Sequence, residues 1–246
     1  MSNFTHFYPW QLASRAAGVQ LTCKIMDNIP MDIDALRSEV GRILSAYAPA
    51  KHSRGDHHDG GWTALGLISH DGNPFEDRKI LPYRKTPALS LAPNLEKLID
   101  RFETEKGRVR LMQLQPAKSI LWHYDRQQTV DGDEYARLHI PIITNDRVRT
   151  QISHEDVVWK AGEIWYGDFS FPHRLYNAGQ ESRVHLVLDL ELTDFVLSAF
   201  PEKFLAQRDK RLRVKKACQR MFDYYELGRF PPRTSLRKFR KLVAST

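Results

Sequence analysis

A histidine and an aspartate separated by one residue, in Trp122-His123-Tyr124-Asp125, are the first side chains in this 246-residue chain whose types and spacing suggest chemistry. On a β-strand, residues two apart project from the same face. His123 and Asp125 so placed offer an imidazole and a carboxylate to one ion. These are two of the three ligands of the facial site that holds ferrous iron and leaves adjacent positions open. A third ligand must come from another strand, and His173, 48 residues beyond Asp125, is the best candidate. Ten residues later Arg183 opens an apolar stretch, Val184-His185-Leu186-Val187-Leu188. An arginine inside a barrel needs an anionic partner. A dicarboxylate co-substrate supplies one, gripped by two parallel hydrogen bonds from the planar guanidinium. Each residue has a plainer alternative: a chance His-x-Asp, a turn histidine after Pro172, an arginine paired at the surface. The conjunction of all four is what points to a metal site.

The elements that must position these residues are strands. Between about 107 and 193 the pattern predicts eight: Arg108–Leu114, Ile120–Tyr124, Ala136–Thr144, Arg149–Ser153, Val157–Lys160, Glu163–Tyr166, His173–Asn177 and Arg183–Leu192. Turn dipeptides such as Asp131-Gly132 and Asn145-Asp146 separate them. Eight short strands with little helix between them argue for a double sheet, sandwich or jelly roll. No strand–helix alternation supports a Rossmann-like sheet, and no Gly-rich phosphate loop is present. Upstream, Leu21–Ile25 and Trp62–Ser69 read as strands. Asp32–Tyr47 reads as a helix with Asp32 or Asp34 as cap, and Asn94–Glu103 as a short helix. A polar His- and Gly-rich loop spans His52–Gly61.

Composition is that of an ordinary globular protein, 41% hydrophobic and 27% charged. No apolar run approaches the ~18 residues of a membrane-spanning helix. The first residues lack a signal-peptide layout, and two cysteines, Cys23 and Cys218, make no disulfide framework. A reducing cytoplasm is the expected compartment. The net charge of +7 is uneven: residues 201–246 hold 14 Lys and Arg against 4 Asp and Glu, which leaves the first 200 residues at −3. That basic segment reads as a helix with Val214, Cys218, Met221 and Tyr225 on one stripe, stopped by Gly228 and Pro231-Pro232. It is expected to buttress the barrel or, alternatively, to dock an acidic carrier protein. Nucleic-acid binding is the lesser alternative.

Further segments fit the same pattern: Arg137-Leu138-His139 before Ile140-Pro141-Ile142-Ile143, Gly162-Glu163-Ile164-Trp165 before Asp168, and Arg183 through Asp189. Together with the His-x-Asp and distal histidine, they resemble the aspartyl/asparaginyl β-hydroxylase family of Fe(II)/2-oxoglutarate dioxygenases. The bacterial proline cis-4-hydroxylase type is nearest. The resemblance covers about residues 107–193 and implies a mainly β protein with flanking helices around a double-stranded β-helix (jelly roll, cupin-like). It implies three parts: residues 1–106 packing on the core and helping to form the substrate cleft, residues 107–193 as the dioxygenase core, and residues 194–246 as a helical extension.

The resemblance also implies roles. His123, Asp125 and His173 bind Fe(II), Arg183 holds the distal carboxylate of 2-oxoglutarate, and His139 stands near its other carboxylate. Arg137 sits where the family often places an arginine facing the substrate's carboxylate. Some members use a serine on the strand before the first ligand. This chain has Leu111-Met112-Gln113-Leu114-Gln115 there, so Gln113 is the expected substitute. Possession of Asp125 sides with the bacterial small-molecule members and argues against halogenation. The implied activity is O2-dependent hydroxylation of a free amino acid or derivative, probed by Trp62, His58, His57 and Asp59 as candidate substrate contacts. The alternatives are a peptide- or carrier-bound residue as substrate, or a non-enzymatic binding protein.

Overall fold

Twelve strands and six helices account for most of the residues that the computed structural model describes, 7–26, 29–51, 57–126 and 129–229. The strands are β1 (Thr22–Lys24), β2 (Ala50–Lys51), β3 (Trp62–His70), β4 (Tyr83–Lys85), β5 (Lys106–Leu114), β6 (Ser119–His123), β7 (Tyr135–Ile143), β8 (Val148–Ile152), β9 (Glu155–Val157), β10 (Trp165–Gly167), β11 (His173–Asn177) and β12 (Arg183–Glu191). The helices are α1 (Pro9–Ala17), α2 (Ile33–Ala46), α3 (Pro93–Asp100), α4 (Asp194–Ser198), α5 (Glu202–Leu205) and α6 (Arg208–Glu226).

Two antiparallel sheets form. The larger runs β1-β10-β7-β12-β5-β3-β2, with β4 on β3, and the smaller runs β6-β11-β8-β9. From β5 onward the chain winds back and forth between the sheets, which is the path of a double-stranded β-helix. Strands from the first hundred residues extend the larger sheet beside β5 and β10.

The alternation along β5, β7 and β12 decides what each face does. Val109, Leu111, Leu138, Ile140, Leu186 and Leu188 point to one side and pack with Val40, Ile43, Leu95 and Ile99 of α2 and α3. Every one of these is buried, and truncating such a leucine to alanine costs about 2–5 kcal/mol. The opposite face carries Arg108, Arg110, Arg137, His139, Arg183, His185 and Asp189, and it looks toward the smaller sheet.

Two local differences from the sequence expectation have physical causes. The expected strand at Val157–Lys160 lies at Glu155–Val157, because β8 and β9 are joined by a tight turn at Ser153-His154 with Ser153 left-handed (φ 48°). No Gly or Asn marks that turn. Helix α1 was not legible because its inward side is small or polar apart from Trp10: Gln11, Ala13, Ser14 and Ala17. Asp32 caps α2 by accepting from the Ala35 N–H at 3.0 Å.

Helix α6 buries Val214, Cys218 and Met221 against Trp10, Phe169 and Phe171, while Tyr225 stays about half exposed. Its Arg211 is no part of a solvated row. The guanidinium is fully buried, bonded to both oxygens of Asp131 (2.6 and 2.7 Å) and to Phe204 O (2.7 Å), and stacked over the Phe204 ring. Left-handed Gly228 (φ 61°) follows the helix; Pro231 and Pro232 lie outside the described residues. No helix among the described residues is long and apolar enough to cross a membrane.

Candidate functional site

Strands β6 and β11 are neighbours, and their register sets His123 opposite His173 with ring centroids 4.1 Å apart. Each imidazole is oriented by the backbone two residues earlier. Nδ1–H of His123 donates to Leu121 O (2.8 Å) and Nδ1–H of His173 to Phe171 O (3.0 Å). A carbonyl only accepts, so the proton sits on Nδ1 and the Nε2 lone pair is left for a ligand. Burial, reinforced by His173, pushes His123 down to about 3, and burial lowers His173 as well. Both rings are therefore neutral at pH 7, as metal ligation requires.

Asp125 lies just past the end of β6, where its N–H donates to Phe169 O at 2.8 Å. Burial opposes its ionisation, yet Arg137 and the two histidines outweigh that and hold the carboxyl at about 2. The carboxylate accepts from Arg137 Nη1 through Oδ2 at 3.0 Å. It shares a cavity with the histidines but is turned toward Arg137. Among the described residues, no group of three or more His, Cys, Asp or Glu side chains converges as an ion-holding cluster.

The cavity has a volume of about 430 Å³ and two chemically distinct ends. At one end Arg183 is 2% exposed, and no carboxylate pairs with it among the described residues. Its Nη2 donates to His185 Nδ1 at 2.7 Å, and its Nε has no hydrogen-bond partner. Burial alone pulls this guanidinium down to about 9. His139 lines the same cavity with both ring nitrogens unpartnered, beside Phe169 (4.8 Å between centroids).

The other end is an ion-pair lattice. Arg137 donates to both oxygens of Asp189, from Nε (2.7 Å) and Nη2 (3.0 Å), as well as to Asp125. This arginine, expected to face a substrate carboxylate, lines the cavity while bonded to these protein carboxylates. Asp189 also accepts from Arg108 (3.2 Å), and Asp77 accepts from Arg108 (3.1 Å) and from Arg110 Nη1 (2.8 Å). Arg110, 2% exposed, is the less fully bonded member: its Nε and Nη2 make no hydrogen bond, although Nη2 lies 3.7 Å from Asp189 Oδ2. Sequence reasoning passed over it. The signal was Arg108-x-Arg110 on β5, two cations on one strand face.

The remaining expected contacts divide. Trp62 lines the cavity, its ring 6.2 Å from His123. His58 does not line it: the ring stands edge-on behind Trp62, and its Nδ1 accepts from the Gly60 N–H. Its neighbour His57 approaches the ligands instead, 4.7 Å from the His123 ring. Asp59 is tied to β6 through the Ser119 N–H (3.0 Å). Gln113 is not brought to the site. It points from the face of β5 opposite Arg110 and Met112, where Thr63 Oγ1 donates to its Oε1 at 3.3 Å. Residues 52–56 of the preceding loop lie outside the described residues.

Comparison with known proteins finds relatives of this chain. A family model described as aspartyl/asparaginyl beta-hydroxylase matches residues 24–192. An L-proline cis-4-hydroxylase of Rhizobium meliloti (strain 1021) is 29% identical over 174 residues, 68% of this chain and 56% of that protein. The chain therefore spans little more than half the length of that relative. Among solved structures, a Pseudomonas putida prolyl-4-hydroxylase covers 75% of this chain and 99% of its own at 14% identity (TM-score 0.43). An oxidoreductase of the 2OG-Fe(II) oxygenase family from Burkholderia pseudomallei covers 74% and 89% at 13% identity (TM-score 0.46).

Proposed function

The chain belongs to the aspartyl/asparaginyl β-hydroxylase family, and from that premise we propose that it is an Fe(II)/2-oxoglutarate-dependent dioxygenase that hydroxylates an unactivated C–H bond of a free amino acid or a carboxylate-bearing derivative. The observation that carries the proposal is Arg183. A buried guanidinium with no carboxylate partner is costly unless an anion arrives. It lines the same cavity as two neutral imidazoles with free Nε2 lone pairs. A dicarboxylate co-substrate would give Arg183 its anionic partner, and the two imidazoles would be available to hold the ion that activates it.

By type the donors are those of a ferrous site, two imidazoles and a carboxylate lining one cavity, and Asp125, turned to Arg137 here, would have to swing toward the histidines to complete it. His123 and His173 would ligate through Nε2. Asp125 would supply the third donor through Oδ1, since Arg137 engages Oδ2. The oxidising chemistry is that of Fe(II) with 2-oxoglutarate and O2, which yields succinate, carbon dioxide and the hydroxylated product. The chain itself binds, orients and excludes water. Arg183 takes the distal carboxylate of 2-oxoglutarate, with His139 beside it. Arg137, braced by Asp189, holds Asp125 in its ionised form. Arg110, whose Nε makes no hydrogen bond and whose Nη2 is 3.7 Å from Asp189 Oδ2, would face a substrate carboxylate, and Trp62 walls the cavity near the histidines. Which carbon is held nearest the ion then sets the site of oxidation.

The relative's name, L-proline cis-4-hydroxylase, supports a free amino acid as substrate. The test is a panel of free amino acids with Fe(II), 2-oxoglutarate and O2, read by succinate formation and by a mass gain of one oxygen. Succinate that depends on both Fe(II) and one panel member is the expected result. The proposal fails if no panel member is oxidised and 2-oxoglutarate does not bind. Binding of 2-oxoglutarate with an unreactive panel would overturn the free-amino-acid substrate and leave a tethered or peptide residue.

A further inference from the structure

His185 is buried on β12, two residues from Arg183 and therefore on the same face of the larger sheet. It is not among the residues that line the cavity. Its environment is the inner layer behind that wall, with ring centroids 5.9 Å from His139 and 6.0 Å from Trp159. Arg183 Nη2 lies 2.7 Å from its Nδ1. A guanidinium has only donors, so Nδ1 accepts and the ring is the neutral Nε2–H tautomer. That Nε2–H has no partner. Burying an unsatisfied donor costs stability, and a purely space-filling position would be better served by an apolar side chain.

We propose that His185 is a positioning residue for the co-substrate: its neutral imidazole accepts from Arg183 Nη2 and so fixes the guanidinium plane, leaving the other N–H groups aimed into the cavity for the distal carboxylate of 2-oxoglutarate. The inference rests on the co-substrate reading above. The physical reason is preorganisation. An arginine side chain has high rotamer entropy, and no carboxylate among the described residues holds this one. A single acceptor from the same strand removes that freedom before the ligand arrives, without neutralising the charge that the ligand needs. A carboxylate in the place of His185 would also fix Arg183, but it would compete with 2-oxoglutarate for the fork.

The experiment is calorimetric titration of 2-oxoglutarate, and in parallel of oxalate, into the full chain with Mn(II). Oxalate has the chelating end and lacks a distal carboxylate. His185→Leu removes the acceptor. His185→Asn keeps one, because Oδ1 of asparagine falls where Nδ1 of histidine stands. The expected result is a 2-oxoglutarate Kd raised about tenfold in His185→Leu, equivalent to about 1.4 kcal/mol. Oxalate affinity should be unchanged, and His185→Asn should recover to within about threefold. In turnover, His185→Leu should raise KM for 2-oxoglutarate while kcat at saturation holds.

Equal weakening of oxalate and 2-oxoglutarate, no weakening of either, or an Asn variant as weak as Leu would each overturn the inference. Should His185→Leu fail to fold, His185→Gln against His185→Asn decides in the same way, since glutamine puts its oxygen at the Nε2 position. Arg183→Met separates the two levels. If it leaves 2-oxoglutarate affinity unchanged, the co-substrate reading itself fails. If it abolishes binding and the His185 variants do not weaken it, the positioning role alone fails.

Discussion

Replacing Arg183 with methionine should act in opposite directions on the free and the liganded protein. The guanidinium is almost wholly removed from water, its hydrogen-bond partner is the neutral His185, and burial lowers it from its ordinary value to about 9. At about 1.4 kcal/mol per pH unit, that shift corresponds to a cost of about 5 kcal/mol for keeping the charge in the folded state at pH 7. Water in the open cavity screens it, so about 5 is the ceiling. Methionine fills similar space without charge, and buried charges replaced by apolar groups are often neutral to stabilising by about 1–4 kcal/mol. Arg183→Met should thus match or exceed the wild-type protein in stability without ligand.

Ligand reverses the order. A ligand at 100 times its Kd stabilises by about 2.7 kcal/mol. For a chain of this size that raises the thermal midpoint by about 5–10 °C. Wild-type protein with Mn(II) and excess 2-oxoglutarate should show that rise, and Arg183→Met should show almost none, because losing a buried charge-assisted pair costs about 2–5 kcal/mol of binding. Thermal melts of both proteins with and without 2-oxoglutarate measure all four states. A free Arg183→Met several degrees less stable than wild type, or one that keeps the ligand-induced rise, would refute the argument that this arginine waits unpaired for an anion.

Three further outcomes follow from the same structure. His123→Ala and Asp125→Ala should each abolish Fe(II)-dependent turnover while circular dichroism stays native, because neither side chain belongs to the apolar core. Asp131→Asn strips the buried Arg211 of its counter-charge and should cost about 3–5 kcal/mol in denaturant unfolding, detaching α6 first. His154, at the joint between α1 and the β8–β9 turn, is lowered to about 4 by burial and then by Arg15. The unfolded chain binds this proton more readily, so stability is full above about pH 6.5 and is lost as pH falls toward 4. His154→Asn should flatten the melting temperature across that window, and an unchanged slope would exclude His154 as its source.

What the sequence determined by itself is whatever depends on near neighbours. Period-two alternation placed β5, β7, β11 and β12 within a residue or two, and the helical spacing after Asp32 gave α2 and its cap. It also set His123 and His173 apart as candidate partners. The tertiary structure decided everything that depends on which strand lies beside which. Arg137 could not be known to be held by Asp189, 52 residues away, until the register of β7 and β12 set them opposite one another. Gln113 was one residue out of phase with the cavity-facing side of β5. Arg211 looked like one of many surface cations until α6 packed it onto Asp131, 80 residues earlier. The reason is that side-chain direction is a local property of the backbone. The partner of a buried charge is set by the register of segments far apart in the chain, and no single stretch of sequence encodes that.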